Sequence, residues 1–242
     1  MPYRVFNLAE VADYLHIARR DLETLVHHRE IPFERQGDRL IFRKKDVDTW
    51  ASQRILGLPL HRLEAYHQTS SADVQHRLGR NQAIISTLMK PEWLRADLRS
   101  KTRAAVIRDM AQLAEQTGLV SLPESLTESL REREDLCSTA LNGGFALLHP
   151  RHHDPYMLED SFIVLGRTVH PIPFGSPDGR KTDIFFLVCC QDDRIHLHVL
   201  ARVCMICAQT NLLEMLRYAD TADDMIRALA ECEVNVISRI AE

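Results

Sequence analysis

Residues 133–151, REDLCSTALNGGFALLHPR, decide how this chain is read. Phe145-Ala146-Leu147-Leu148 is a short apolar run, with Asn142-Gly143-Gly144 before it and His149-Pro150 after it. A run of that length, punctuated by turn residues, reads as a strand buried on both faces. The sheet would hold a histidine at the strand exit and leave its ring at the edge. That placement suits a nucleophile that must meet another protein, and neutral imidazole is a good nucleophile near pH 7. His149 is therefore the candidate nucleophile.

Downstream, 162–165 and 183–188 are buried-strand runs of the same kind. Helical periodicity covers 102–117 through Ala104, Val106, Ile107, Met110 and Leu113, then 123–135, with Pro123 in its first turn. It returns over 196–207, 211–218 and 222–232. Helices alternating with buried strands predict an α/β domain with a mixed sheet, covered by helices on both faces. His196 opens one of these helices, where the positive end of the helix dipole favours anions. His198 lies two residues on and points elsewhere.

Upstream, the pattern changes. Asn7 is placed to cap a helix carrying Leu8, Val11, Ala12 and Leu15 at i, i+3, i+4 and i+7. His16-Ile17 makes a tight turn into a second helix from Ala18, with Leu22, Leu25 and Val26 inward. Ile31-Pro32 is expected to stop that helix. Phe33–Arg35 and Leu40–Phe42 flank Gln36-Gly37-Asp38 as a hairpin, and a third helix opens at Lys45–Asp48 and carries Trp50. This is a small winged helix-turn-helix plan, mostly α with a β-hairpin. The expected division is residues 1–52 for this unit, 53–82 for a partly helical linker, and 83–242 for the α/β domain.

The run from Leu8 to Trp50, LAEVADYLHIARRDLETLVHHREIPFERQGDRLIFRKKDVDTW, resembles the small excisionase/MerR-like DNA-binding family over residues 6–52. That resemblance implies a second helix in the major groove, with wing and helix ends on phosphates. Arg19, Arg20, Arg39, Arg43, Lys44 and Lys45 are the candidate phosphate contacts. Asp21 and Glu23 depart from the neutral or basic residues usual in a recognition helix, and residues 1–60 carry only +1. A unit kept for protein docking or dimerisation is the alternative.

The pattern RExxxST…GxAxxHPR, then PIPF at 171–174, Asp178-Gly179, DIFFLV and HLxVLA resembles the type-2 enzyme IIA domain of the phosphoenolpyruvate:sugar phosphotransferase system. That is the mannitol/fructose and nitrogen-regulatory group, and the match spans about 84–235. The resemblance implies that His149 accepts a phosphoryl group from phospho-HPr or its nitrogen-branch relative. It implies that His196 donates to the phosphoryl oxygens and that Arg133 adds charge or holds the acceptor loop. Ser138 and Thr139 would fix the unreactive nitrogen of His149 or the loop around it, and Arg151 would support the partner surface. The family has Ile-Pro-His where this chain has Leu147-Leu148-His149. The nitrogens of His149 and His196 are expected about 4–8 Å apart at a shared surface depression.

Composition sets the bounds. The 242 residues are 45% hydrophobic and 26% charged, ordinary for a globular chain and against disorder as the main state. No apolar run reaches the length of a membrane span, and Met1–Glu10 lacks a signal-peptide core. A cytoplasmic location with reduced thiols is expected. The net charge of −4 divides into +2 over 1–82 and −6 over 83–242, in line with two modules. Cys204 and Cys207 have CxxC spacing in an apolar run without a second ligand pair, which favours packing over metal. His149, His152, His153 and Asp154 favour a solvated loop over a metal site, so no cofactor or metal is expected.

The expected function is a phosphotransferase-system regulator coupling a phosphoryl group on His149 to DNA binding. Its alternatives are a soluble carrier passing phosphate to a separate IIB subunit, and a pseudo-carrier that binds partners unphosphorylated. No IIB-like or IIC-like segment is read, so direct sugar transport is not expected. A homodimer is expected through Ile55, Leu56, Leu60, Leu63, Val74 and Leu78 or the first domain.

Overall fold

The computed structural model describes residues 4–78, 84–151 and 156–241, with side chains described over 4–71, 84–151 and 156–239. Local signals build its N-terminal unit. β1 (Val5–Phe6) leads into α1 (Leu8–Leu15). The Asn7 side chain accepts from the amides of Ala9 and Glu10, while the Glu10 carboxylate accepts from the Asn7 amide, a reciprocal capping box. His16 ends the helix in the left-handed region at φ 52, and α2 (Arg19–His27) follows. Pro32 is not the stop that the sequence suggested. The helix ends at His27, and Arg29 turns the chain with φ 56.

β2 (Glu34–Gln36) and β3 (Arg39–Arg43) pair antiparallel as the expected hairpin, turning at Gly37 with φ 61. β1 joins them in the order β1-β3-β2. Two residues are too few to carry a period, so β1 was not legible. α3 (Lys44–Leu56) closes the unit over a core of Val11, Leu15, Leu22, Leu25, Phe42 and Val47.

The connector proves to be packed structure over its described part. After Gly57, α4 (Leu60–Leu78) lies along α8 (Asp193–Gln209). Leu63, His67 and Ser70, spaced i, i+4 and i+7, are buried on one face. Ile55 and Leu63, two of the expected dimer contacts, are thus spent inside the chain. Leu56 is half-buried, Leu60 is exposed, and the side chains of Val74 and Leu78 lie outside the described residues.

The α/β domain follows the expected plan. α5 (Ile84–Thr87) and a 3-10 turn (Pro91–Trp93) lead into β4 (Leu94–Leu98). α6 (Arg103–Glu115), α7 (Pro123–Leu136), β5 (Ala140–Leu141), β6 (Phe145–Leu148), β7 (Phe162–Ile172) and β8 (Thr182–Cys189) come next. α8, α9 (Leu212–Tyr218) and α10 (Ala222–Ala241) complete it. The five-stranded sheet runs β4-β7-β8-β6-β5. β6 is parallel to β8, β4 is parallel to β7, and β7 is antiparallel to β8, so the sheet is mixed. Successive residues of β6 are all buried, as are nearly all of β8, so both faces are covered.

Among the described residues no single helix is long and apolar enough to cross a membrane. The apolar run of α8 is core, and burial pushes the Cys204 thiol up to about 12.

Candidate functional site

Two parallel strands deliver the site. β6 and β8 run side by side, with Leu148 opposite Leu187, and their carboxyl ends leave the sheet together. His149 follows β6 directly. The chain leaving β8 turns at Gln191-Asp192 into α8, and Asp192 caps that helix by accepting from the amides of Arg194 and Ile195. His196 sits in the first turns of α8, its ring centroid 5.0 Å from that of His149. Ligand and reaction sites in open α/β sheets collect at this edge for the same reason.

The hydrogen bonds assign the tautomer of His149. Its Nδ1 lies 2.9 Å from the carbonyl of Leu147, which can only accept, so Nδ1 carries the proton. The Nε2 lone pair accepts from Nε of Arg133 at 2.9 Å. Arg133 also donates through Nη1 to the Cys137 carbonyl at 3.0 Å. Its Nη2 is buried with no hydrogen-bond partner among the described residues. A buried guanidinium donor left over beside a nucleophilic nitrogen suits an incoming anion.

Glu134 supports the loop. It accepts from the amide and hydroxyl of Thr139 at 3.1 and 2.6 Å. Burial raises its pKa, against the hydrogen bonds from Thr139. Ser138 donates to the Phe174 carbonyl at 2.6 Å, and Nη2 of Arg103 donates to the same oxygen at 2.9 Å. Gly175, at φ 95, follows that carbonyl, and a Cβ there would come within 3.1 Å of Ser138 Cβ. Ser138 and Thr139 thus hold the loop, whereas the Leu147 carbonyl holds Nδ1 of His149. Arg151 pairs with Glu132 at 3.3 Å beside α7.

The structure corrects the sequence reading in one respect here. His149 and His196 are each only 1% exposed, so the pair lies beneath the surface rather than in an open depression. Glu134, Arg103 and the Phe174 carbonyl were missed. The adjoining Arg-Glu and PIPF motifs were the available signal. His152 and His153 lie outside the described residues, and the described ones hold no group of three or more metal-ligating side chains.

The six candidate phosphate contacts divide into three groups. Arg20, Arg39 and Lys45 are exposed. Arg19 and Arg43 are exposed too, but they pair with Glu23 at 3.0 Å and Glu34 at 2.7 Å. Lys44 departs from its expected role as a phosphate contact. It is half-buried and bound to both Asp48 and Asp193 of α8, so its charge is already neutralised.

A mixed sheet that brings two histidines and a buried arginine to one edge, behind a helix-turn-helix unit, defines a IIA-type phosphotransferase domain with an appended module. The family model for the phosphoenolpyruvate-dependent sugar phosphotransferase system, EIIA 2, matches residues 87–232, and the chain belongs to that family. A helix-turn-helix domain model matches residues 5–55. The nitrogen regulatory protein of Bradyrhizobium diazoefficiens is 29% identical over 149 residues, covering 60% of this chain and 94% of that protein. The Klebsiella oxytoca nitrogen regulatory protein is 26% identical over 157 residues, 62% of this chain and 93% of its own length. Among solved structures, nitrogen regulatory protein IIA-Ntr from Neisseria meningitidis superposes with TM-score 0.55 at 24% identity, covering 60% and 99% of the two chains. IIA mannitol from Escherichia coli superposes with TM-score 0.52 at 17% identity, covering 58% and 98%. Both structures share the fold of the second domain.

Proposed function

We propose that this chain accepts a phosphoryl group on Nε2 of His149 from an HPr-like carrier and couples that state to DNA binding by residues 1–52. The observation that carries the reading is the fixed tautomer of His149, with its Nε2 lone pair facing Arg133. In the transfer, Nε2 attacks phosphorus in line and the P–Nε2 bond forms. The bond from phosphorus to the donor breaks, and its electron pair leaves with the donor. Nδ1 keeps its proton throughout. Arg133 gives up its bond to Nε2 and turns its guanidinium to the phosphoryl oxygens, where charge is spread in the transition state. His196 donates to the same oxygens.

Incubation with phosphoenolpyruvate, enzyme I and HPr, followed by intact-mass analysis, tests the first half. One added phosphoryl group, absent in His149→Ala, is expected. No uptake by the parent chain overturns the reading.

The carrier alternative draws on a specific observation. α2 exposes Asp21 and Glu23, and Glu23 neutralises Arg19. One solved relative is the complex of enzyme IIAMTL with phosphorylated enzyme IIBMTL from Escherichia coli, so the fold can serve such a partner. Failure of residues 1–52 to bind duplex DNA, together with phosphoryl transfer to a IIB subunit, would favour that alternative.

A further inference from the structure

Where the helix-turn-helix unit meets the second domain, a compact charged cluster lies one helical turn from the phosphoryl site. Lys44, at the start of α3, donates to Asp48 at 2.7 Å and to Asp193, the first residue of α8. The Tyr14 hydroxyl of α1 donates to Asp48 at 2.7 Å. The Tyr14 ring carries Lys44 Nζ 5.3 Å from its centroid and the Arg194 guanidinium at 5.6 Å. Thus α1, α3 and the first turn of α8 meet around a single lysine. His196 follows Asp193 by three residues, so both lie on the same side of α8.

We infer that Lys44, Asp48 and Asp193 form a charge latch holding the helix-turn-helix unit on the second domain, and that a phosphoryl group on His149 loosens it. The inference rests on the reading of His149 as phosphoryl acceptor. Among the described residues, Asp48, Asp192 and Asp193 lie around the Tyr14 hydroxyl, with Lys44 and Arg194 on its ring. Asp48 is already disfavoured as an anion, first by burial and then by Asp193. Burial also works against the charge on Lys44, but Asp193 and Asp48 outweigh it and raise its pKa. Lys44 is the cation that Asp48 and Asp193 share. A phosphoryl group adds about two negative charges beside His196. It repels Asp48, the acid that the helix-turn-helix unit brings to the seam. Only a group that interacts differently with the docked and released forms can shift their balance, and this one does.

The test is hydrogen exchange of the full chain, read by mass spectrometry before and after phosphorylation, with intact mass giving the phosphoryl stoichiometry. Phosphorylation is expected to speed exchange about tenfold across 44–56 and 60–71 and to leave β8 protected. Lys44→Met should reproduce that acceleration without phosphate, and phosphorylating it should add less than about twofold, because the two changes act on one contact. A full phosphoryl mass with unchanged exchange at 44–56 overturns the latch alone. So does a Lys44→Met chain that exchanges like the parent. Absence of the phosphoryl mass overturns the acceptor reading and the latch's regulation with it, and the mass shows which of the two has failed.

Discussion

His149 has one nitrogen tied to a backbone carbonyl two residues away and the other facing a guanidinium supplied by α7. His149→Ala removes the nucleophile, and phosphoryl uptake should fall to zero by intact mass. On the proposed reading, His196→Ala removes a donor to the transferring group. Its single-turnover rate should drop about 10²–10³-fold, the usual cost of one preorganised donor, with some uptake remaining. Complete loss of uptake in His196→Ala, or stable phosphate in His149→Ala, would redistribute these roles. The meeting of these two rings was legible because local motifs mark both residues, HPR after one strand and HLxVLA after another. Burial was not legible, since it depends on which helices close over the sheet edge. Nor was the commitment of Lys44. Its partner Asp193 is 149 residues away, and no local pattern marks it.

Among the elements, α4 shows where sequence and structure parted. Its inner face carries His67 and Ser70, polar types that hid a packing face behind the look of a connector. His67 stacks on His198 of α8 with centroids 4.4 Å apart, and the Ser70 hydroxyl lies 2.8 Å from His198 Nδ1. Arg202 donates to His67 at 2.9 Å and pairs with Glu233 of α10 at 3.1 Å. Glu233 in turn accepts from the amides of Ile85 and Ser86.

Burial, then Arg202, lowers the His67 pKa to about 3; burial, then His67, lowers that of His198 to about 2. Below pH 6.5 the unfolded chain binds protons that the folded chain refuses. The stability contribution is therefore complete above the unfolded value and is lost as pH falls toward 3. Each group contributes a slope of up to about 1.4 kcal/mol per pH unit. Urea midpoints at pH 7.5 and 5 should fall for the parent and fall less steeply for a His67→Gln/His198→Gln double variant. Parallel slopes would exclude these two histidines as the cause. Leu63→Ala should cost about 2–5 kcal/mol in the same titration, because the side chain is buried against the second domain. A free tether would lose almost nothing.

At the scale of the whole molecule, the proposed duplex binding would use the cations that the first unit's own fold leaves exposed. Arg39→Ala should lower the slope of log affinity against log salt by about 0.9, the contribution of one phosphate contact. Lys44→Ala should leave that slope unchanged, because its ammonium is bound to Asp48 and Asp193. A measured slope change for Lys44→Ala would place that residue on the duplex. The two-module plan and the α/β character of the second domain were readable from periodicity and from the +2 and −6 charge division. The attachment of the modules was not, since it lies in contacts between the first and last thirds of the chain.

The packing of α4 on α8 also sets an order of events at the ribosome. Residues 60–78 emerge on the order of a hundred residues before residues 193–209, which is about 6–23 s at ordinary elongation rates. The helix-turn-helix has its core partners in hand by Leu56 and can fold as it appears. The Leu63-His67-Ser70 face cannot, and throughout that interval it is an uncovered seam on a nascent chain. Truncations and stalled products ending between these two segments would carry a finished first unit and an open flank, the form on which a holding chaperone acts.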